Sequence, residues 1–318
     1  MQMPTRAMYP DFFNALKTGL LKPLVDRVRS DRTLMLALRG DSINVYYRGG
    51  NLLRISRPEG SSSFKARFDP NYNKSAKDFS DLPGEIEAPE QLSRWLRAIP
   101  ELKDSMDHYF AAVAEKLERE FQQVVARENN DSVISNETEY FICDIEYADT
   151  GARFDMLAIK WPRAHRKHLD KCRMCLIEMK YGDNAYVGTS GLREHLLALD
   201  RYLNDPVKVN ALRVSMQDQF NQLRALELVG IRQTNDIKLS DERPEVVILL
   251  ANHHPGKSNL GKILKEVAEA DEFAGVGSGK NYDLRFFVAS FAGYGLHNAC
   301  MLGLDQFREY ISVVQARA

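Results

Sequence analysis

At 318 residues the chain is long enough for one large domain or two ordinary ones with ample core, and its composition (44% apolar, 27% charged, mean hydropathy −0.39) is that of a soluble globular protein. A formal net charge of −1 excludes whole-molecule attraction to nucleic acid, so any such binding must come from local basic patches. No apolar run reaches membrane-spanning length, the first residues lack a signal-peptide layout, and the four cysteines fit no disulfide framework; a cytoplasmic chain with no membrane partner is expected.

The first stretch reads as β-rich. Segments 33–38, 42–47 and 52–56 are short apolar-alternating runs split by Arg39-Gly-Asp41 and Arg48-Gly-Gly-Asn51, which are hairpin signals. Residues 58–90 read as loop-rich, and a boundary near residue 88 separates an antiparallel β-rich extension (1–88) from a second domain (89–318). The pattern then turns helical. A short helix over 91–99 is expected to stop at Pro100, and a long one over 104–127 carries Phe110, Val113, Leu117, Phe121 and Val124 as one stripe.

Three strand candidates follow, over 138–147, 152–161 and 172–181. Ser190 offers an N-cap to a helix over 191–203, and 206–229 reads as another helix, long enough to serve a homodimer. Strands over 245–251 and 283–291 and a helix over 300–314 close the chain.

Two of these strands carry charges that interior strands avoid. One reads Arg153-Phe-Asp155-Met-Leu-Ala-Ile159, the other Arg173-Met-Cys-Leu-Ile-Glu178-Met-Lys180-Tyr181, and both are otherwise apolar on both faces. An unpaired charge there costs several kcal/mol or neutralises, so the three residues are expected to hold one another or a metal ion. Glu178 and Lys180, two apart, share a face. If the two strands form a hairpin centred near Arg166–Lys167, residues whose numbers sum to about 333 face each other, and Asp155 lies opposite Glu178 with Cβ atoms ~5 Å apart. Two carboxylates so placed call for a cation, and oxygen ligands favour Mg²⁺ or Mn²⁺. A plain ion pair, with Lys180 bridging the two acids, satisfies the same constraint. Acid-x-Lys recurs at Asp236-Ile-Lys238, but in a polar loop.

This arrangement resembles the PD-(D/E)XK nuclease superfamily, the restriction-endonuclease-like α/β fold, over roughly residues 104–251. Its core runs helix, three-strand antiparallel meander, helix, strand, with an Asp on the second strand and Glu-x-Lys on the third. The resemblance implies metal-dependent hydrolysis of phosphodiester bonds in nucleic acid, DNA before RNA. It implies Asp155 and Glu178 as ligands of Mg²⁺ or Mn²⁺, and Lys180 as the catalytic lysine. Many members add a glutamate on the first helix; Glu120 is the candidate, ~60° from the stripe's centre, with Glu118 second at ~100°. Phe154 rather than proline precedes Asp155, and the following helix carries Arg193, Glu194, His195 and Tyr202 where some relatives have Gln and Tyr. Arg193 and His195, in its first turns, are candidates for binding substrate phosphate. A nuclease-fold binding or assembly module, and a metal-dependent enzyme acting on a small phosphorylated substrate, are the other function classes the residues allow.

Other signals are weaker. His165, His168, Cys172 and Cys175 imitate zinc ligands, but Cys175 falls on a strand facing away from Glu178 and reads as core. Two phosphate-loop look-alikes fail, because Ala251 and Ala274 stand where glycine is required. Asp144 and Glu146 are expected on the face opposite Asp155, unless the register slips by one residue. In the extension, Arg48, Arg54, Arg57, Lys65 and Arg67 are basic residues that either grip nucleic acid or serve the fold.

Overall fold

The structure, a computed structural model, describes residues 6–57, 60–73, 77–112, 117–131, 138–149, 152–182, 191–231, 235–253, 259–269, 280–289 and 293–316. It is a mixed α/β chain with two five-stranded sheets. By its internal contacts it divides into unit 1 (Met1–Arg127 and Asp218–Thr234) and unit 2 (Glu128–Gln217 and Asn235–Ala318). Helices α4 (Leu117–Asn130) and α6 (Pro206–Ala225) run from one unit into the other. No helix among the described residues is long and apolar enough to cross a membrane.

Unit 1 is built on an antiparallel sheet of β1 (Leu34–Leu38), β2 (Ser42–Tyr47), β3 (Gly50–Ser56), β4 (Phe64–Arg67) and β5 (Glu85–Ile86), in sequential order. Alternation decides which face is buried: Leu36, Ile43, Val45, Leu53, Ile55, Phe64 and Ala66 point inward, while Arg54, Lys65 and Arg67 stay exposed. Strands β4 and β5 lie within 58–90, which the sequence presents as loop. They are too short, at four and two residues, to show a period. The β2–β3 turn has both Arg48 (φ 48°) and Gly49 (φ 71°) in the left-handed region, as a two-residue hairpin matching strand twist requires. Helices α1 (Pro10–Lys17) and α2 (Lys22–Ser30) belong to this unit, and Phe12 of α1 meets Phe64 edge-on at 5.0 Å between centroids.

Pro100 does not stop its helix. Helix α3 runs unbroken over Pro89–Ala112, because Leu92, Trp95, Ile99, Leu102, Met106 and Phe110 form one buried stripe straight through the proline. An interior proline costs ~3 kcal/mol, whereas each such side chain contributes ~1.5–3 kcal/mol on burial. The expected stripe over 104–127 is correspondingly divided: Phe110 belongs to α3, Val113 lies outside the described residues, and α4 instead buries Gln122, Gln123, Val125 and Ala126. Gln123 explains why the contact division falls beyond residue 88. Its side chain accepts from the Gly49 amide at 2.9 Å and donates to the Thr33 carbonyl at 2.8 Å, tying α4 to the first sheet.

Unit 2 holds β6 (Tyr140–Asp149), β7 (Ala152–Lys160), β8 (Arg173–Tyr181), β9 (Glu245–Ala251) and β10 (Asp283–Val288), in spatial order β10-β9-β8-β7-β6. The first three form an antiparallel meander, and β9 and β10 run parallel to β8. Every residue of β9 and Met174 to Lys180 of β8 are buried, as for strands covered on both faces. Helix α5 (Leu192–Leu203) packs on β7 and on α7 (Leu260–Glu269), a helix not foreseen from the sequence, and α8 (Leu304–Gln315) stacks Phe307 on Phe286 of β10 at 4.7 Å. Gly191 is the residue before α5; Ser190, the expected cap, lies outside the described residues.

One ion pair of unit 1 allows a pH test. Asp31, after α2, accepts from Lys103 of α3, from Arg27 at 3.0 Å and from the Thr33 amide at 3.2 Å. Burial opposes its charge, but the Lys103 and Thr33 hydrogen bonds and the Lys103 charge outweigh it and bring the carboxyl down to about 2. A depressed carboxyl pKa stabilises the fold above its unfolded value of ~3.9, and that stabilisation disappears as pH falls through the folded one. Lys103→Met is therefore expected to cost ~1 kcal/mol near pH 7, with solvent screening of the half-open pair included. In urea melts taken across pH, the gap to the parent chain should close between about pH 4 and about pH 2; a gap unchanged at pH 2 would refute the assignment.

Candidate active site

The β7–β8 hairpin has the register in which paired residue numbers sum to 333. Lys160 pairs with Arg173, Ala158 with Cys175, and Met156 with Ile177. One step further along this register, Asp155 stands opposite Glu178. The backbone ladder ends at Met156–Ile177, and beyond it the Asp155 carboxylate itself accepts the Met179 amide proton at 2.8 Å. A side chain thus replaces a ladder carbonyl where the two strands carry their acids. Asp155, Glu178 and Lys180 are 7%, 4% and 4% exposed.

Lys180 donates to Glu178 Oε1 at 2.8 Å, and His195 Nδ1, from the second turn of α5, meets the same oxygen. On the other side of β8 the neighbours are apolar, Ile248 beside Glu178 and Leu250 beside Lys180. Burial works against a charged Glu178, but the His195 hydrogen bond and the Lys180 charge outweigh it and hold the carboxyl below its usual range. The site keeps an ionised carboxylate in a dry wall because two nitrogen donors converge on it.

Strand β6 corrects the expected parity. A bulge between Ile142 and Asp144 shifts its pairing with β7 from a sum of 300 (Ile142–Ala158) to 301 (Ile145–Met156, Tyr147–Phe154). On the turn side of the bulge, where Asp149 pairs with Ala152, Asp144 pairs with Leu157 and Glu146 falls opposite Asp155 rather than on the reverse side. Glu146 has a left-handed backbone (φ 53°) and pairs with Arg153. Hydrogen bonding to Glu146, its charge, and the charges of Asp155 and Glu178 all raise the Arg153 pKa. Glu146, Asp155 and Glu178 therefore all act on Arg153, and the turn-end pairing of Asp149 with Ala152, one residue off a turn centred on Thr150, is what brings Glu146 to this side.

The remaining candidates are placed as follows. Arg193 is exposed at the start of α5. Tyr202 is buried, 5.1 Å edge-on from Phe154, and packs as an ordinary core residue. Glu120 is in unit 1, where Arg48 binds both of its oxygens at 3.1 and 3.3 Å while also reaching Asp107 at 2.9 Å. Cys172 and Cys175 are fully buried free thiols, and His165 and His168 are exposed. Burial pushes the Cys175 thiol well up, which suits a core residue rather than a thiolate ligand.

A second buried charge cluster was missed in the sequence. Glu245, 0% exposed at the start of β9, accepts from Tyr140 at 2.5 Å and from Lys160 at 2.7 Å, and Arg173 and Arg285 approach to 4.0 Å. Its partners come from four separated segments, so no short motif marks it.

Among the described residues no group of three or more His, Cys, Asp or Glu side chains is arranged to hold a metal ion. Asp155 and Glu178 by themselves suit Mg²⁺, which keeps most of its waters and is commonly held by one or two carboxylates. Compared with family models, curated proteins and solved structures, the chain matches none.

The balance of charge around Glu178 predicts its own test. Glu178→Ala leaves Lys180 buried without its counter-charge and is expected to cost ~3–5 kcal/mol. Adding Lys180→Met should restore much of that loss, since it removes the stranded charge. Urea unfolding of the four chains in the cycle measures the coupling; simple additivity would contradict the pairing.

Proposed function

We propose that unit 2 carries a metal-dependent phosphodiesterase site of the PD-(D/E)XK nuclease type, acting on nucleic acid, with DNA the preferred substrate. The observation that carries this reading is the register that sets Asp155 opposite Glu178, with Lys180 bonded to Glu178, in strands otherwise apolar. The element order supports it: α4, the β6–β7–β8 meander, helices α5 and α6, then β9 parallel to β8. The chain departs from the minimal pattern by a second helix before the fourth strand and by an added parallel strand, β10.

In this reading Asp155 and Glu178 hold Mg²⁺ or Mn²⁺. The ion, when bound, supplies an acidic water as nucleophile and positive charge against the phosphate. Lys180, bonded to Glu178, would orient the attacking water or stabilise charge building on the phosphoryl oxygens. His195 holds Glu178 in place through Nδ1, while its side chain stays 31% exposed. Arg193 offers an exposed cation to a neighbouring phosphate. Glu120, engaged by Arg48, has no role in this scheme.

One observation favours a second reading. Because Lys180 and His195 both satisfy Glu178, the buried charge is balanced by the chain alone, as in a nuclease-fold module that binds without cutting. Plasmid, single-stranded DNA and RNA incubated with Mn²⁺ separate the two. The parent chain is expected to cleave, and Lys180→Gln, assayed at a temperature where circular dichroism shows it folded, to lose at least ~10²-fold in rate. Binding with no cleavage in Mn²⁺ would establish the second reading and sink the first.

A further inference from the structure

One face of the unit 1 sheet is buried throughout; the other is covered at Ala37 and Ser42 but exposed on β3 and β4, and that exposed part is chemically one-sided. Arg54 of β3 pairs directly across the ladder with Arg67 of β4, and the next pair outward sets Ser56 beside Lys65. Arg54, Lys65 and Arg67 are all exposed, and no ion pair to a described residue neutralises any of the three. Arg54 makes its one side-chain hydrogen bond to Ser42, at 3.2 Å. Like charges directly opposite one another destabilise a sheet, so the strands retain an unfavourable pair that an external anion would relieve.

The neighbouring positions are hydrogen-bonding groups rather than acids. Asn44 pairs with Arg54, and Asn44, Asn51 and Tyr46 are linked through side chains at 3.1 and 3.4 Å. Glu85, opposite Lys65 on β5, is the acid of this face. Beyond Arg67, at the edge of the sheet, a cleft of about 350 Å³ is lined by Arg67, Phe68, Phe79, Trp95, Asp78 and Lys77, the last paired with Asp104 at 2.7 Å, and Phe68 and Phe79 meet edge-to-face at 5.5 Å. Cations at strand spacing that end at half-exposed aromatic rings combine phosphate contacts with base stacking.

We infer that the outer face of β2–β3–β4 is a binding surface for single-stranded nucleic acid, whose phosphates lie along Arg54, Arg67 and Lys65 and one base of which enters the Phe68/Phe79 cleft. In a chain of net charge −1 the attraction has to be local, and this face supplies it. The surface serves the proposed nuclease reading as a holding site, but it stands on different residues.

Fluorescence anisotropy with a labelled oligothymidylate of about 20 nucleotides, in EDTA so that hydrolysis plays no part, tests it on the full chain. Arg67→Glu is expected to weaken binding roughly tenfold at low salt and to flatten the salt dependence. The same change places an acid opposite Arg54, so the melting temperature should rise by about 1–2 °C. Opposite movement of affinity and stability is the signature that damage to the fold cannot produce. Phe79→Ala should cost the oligonucleotide roughly tenfold and leave inorganic polyphosphate binding unchanged.

Unchanged oligothymidylate binding in Arg67→Glu overturns the proposal. Equal loss of polyphosphate in Phe79→Ala overturns the stacking role, and duplex DNA bound as tightly as the single strand overturns the strand preference. Failure here with cleavage intact leaves the active-site reading standing, and loss of cleavage with binding intact does the reverse.

Discussion

A carboxylate held ionised inside an apolar strand is the constraint to which the unit 2 sheet is fitted. Glu178 has Met179 and Ile177 as its chain neighbours and Ile248 beside it on β9, and within its own strand Lys180, two residues on, supplies the compensating charge. The second compensating group arrives from α5, whose first turns must come close enough for His195 to reach Oε1. Asp155 is handled differently, by a backbone amide that the end of the ladder sets free. The end of the ladder suits the charges: a continued ladder would consume the Met179 amide that Asp155 accepts from.

The same sheet carries a second buried acid, and comparing the two shows why only one is read as a site. Glu245 pairs with Cys175, three residues before Glu178 on β8, and begins a parallel strand. Its oxygens are closed by a tyrosine and a lysine, and its charge pushes the Tyr140 hydroxyl far above its usual range along with burial, so that Tyr140 is locked as a donor. Glu178 and Lys180 lie instead towards the carboxyl ends of β8 and β9, where open α/β sheets present their ligands. Position on the strand, rather than depth or charge, separates a stabilising cluster from a candidate centre.

Much of this was legible because period-2 patterning and residue sums need only local information. The strands over 138–160, the β7–β8 register and the shared face of Glu178 and Lys180 all follow from alternation and a single turn centre. What failed was tertiary. Pro100 sits inside a helix because six side chains bury on either side of it. Glu120 was chosen on a wheel built from a stripe that α3 and α4 divide between them, and its carboxylate is taken by Arg48. His195 could be suspected but not assigned, since only the packing of α5 on β7 decides which oxygen its ring nitrogen meets. The Glu245 cluster left no trace, because a Glu opening an apolar strand looks like a boundary residue.

Backbone strain points to the same end of the sheet. Four non-glycine residues with left-handed backbone occur among the described residues, and the two in unit 2 are Glu146 and Asn252. Asn252 follows Ala251, the partner of Tyr181, directly after Lys180, and Glu146 falls opposite Asp155. Asparagine tolerates this conformation, whereas glutamate gains nothing local from it and costs ~1–3 kcal/mol. The turn-end register sets Glu146 opposite Asp155 at the cost of that strain, and Arg153 pairs with it. The pairing of Asp149 with Ala152 at the turn end already sets Glu146 on the Asp155 side, so its face is fixed by the turn and not by the bulge at Cys143. The left-handed backbone at Glu146 and the buried charge of Glu178 are the physical argument for reading the carboxyl end of β8 as a place where the fold gives up stability to gather charge.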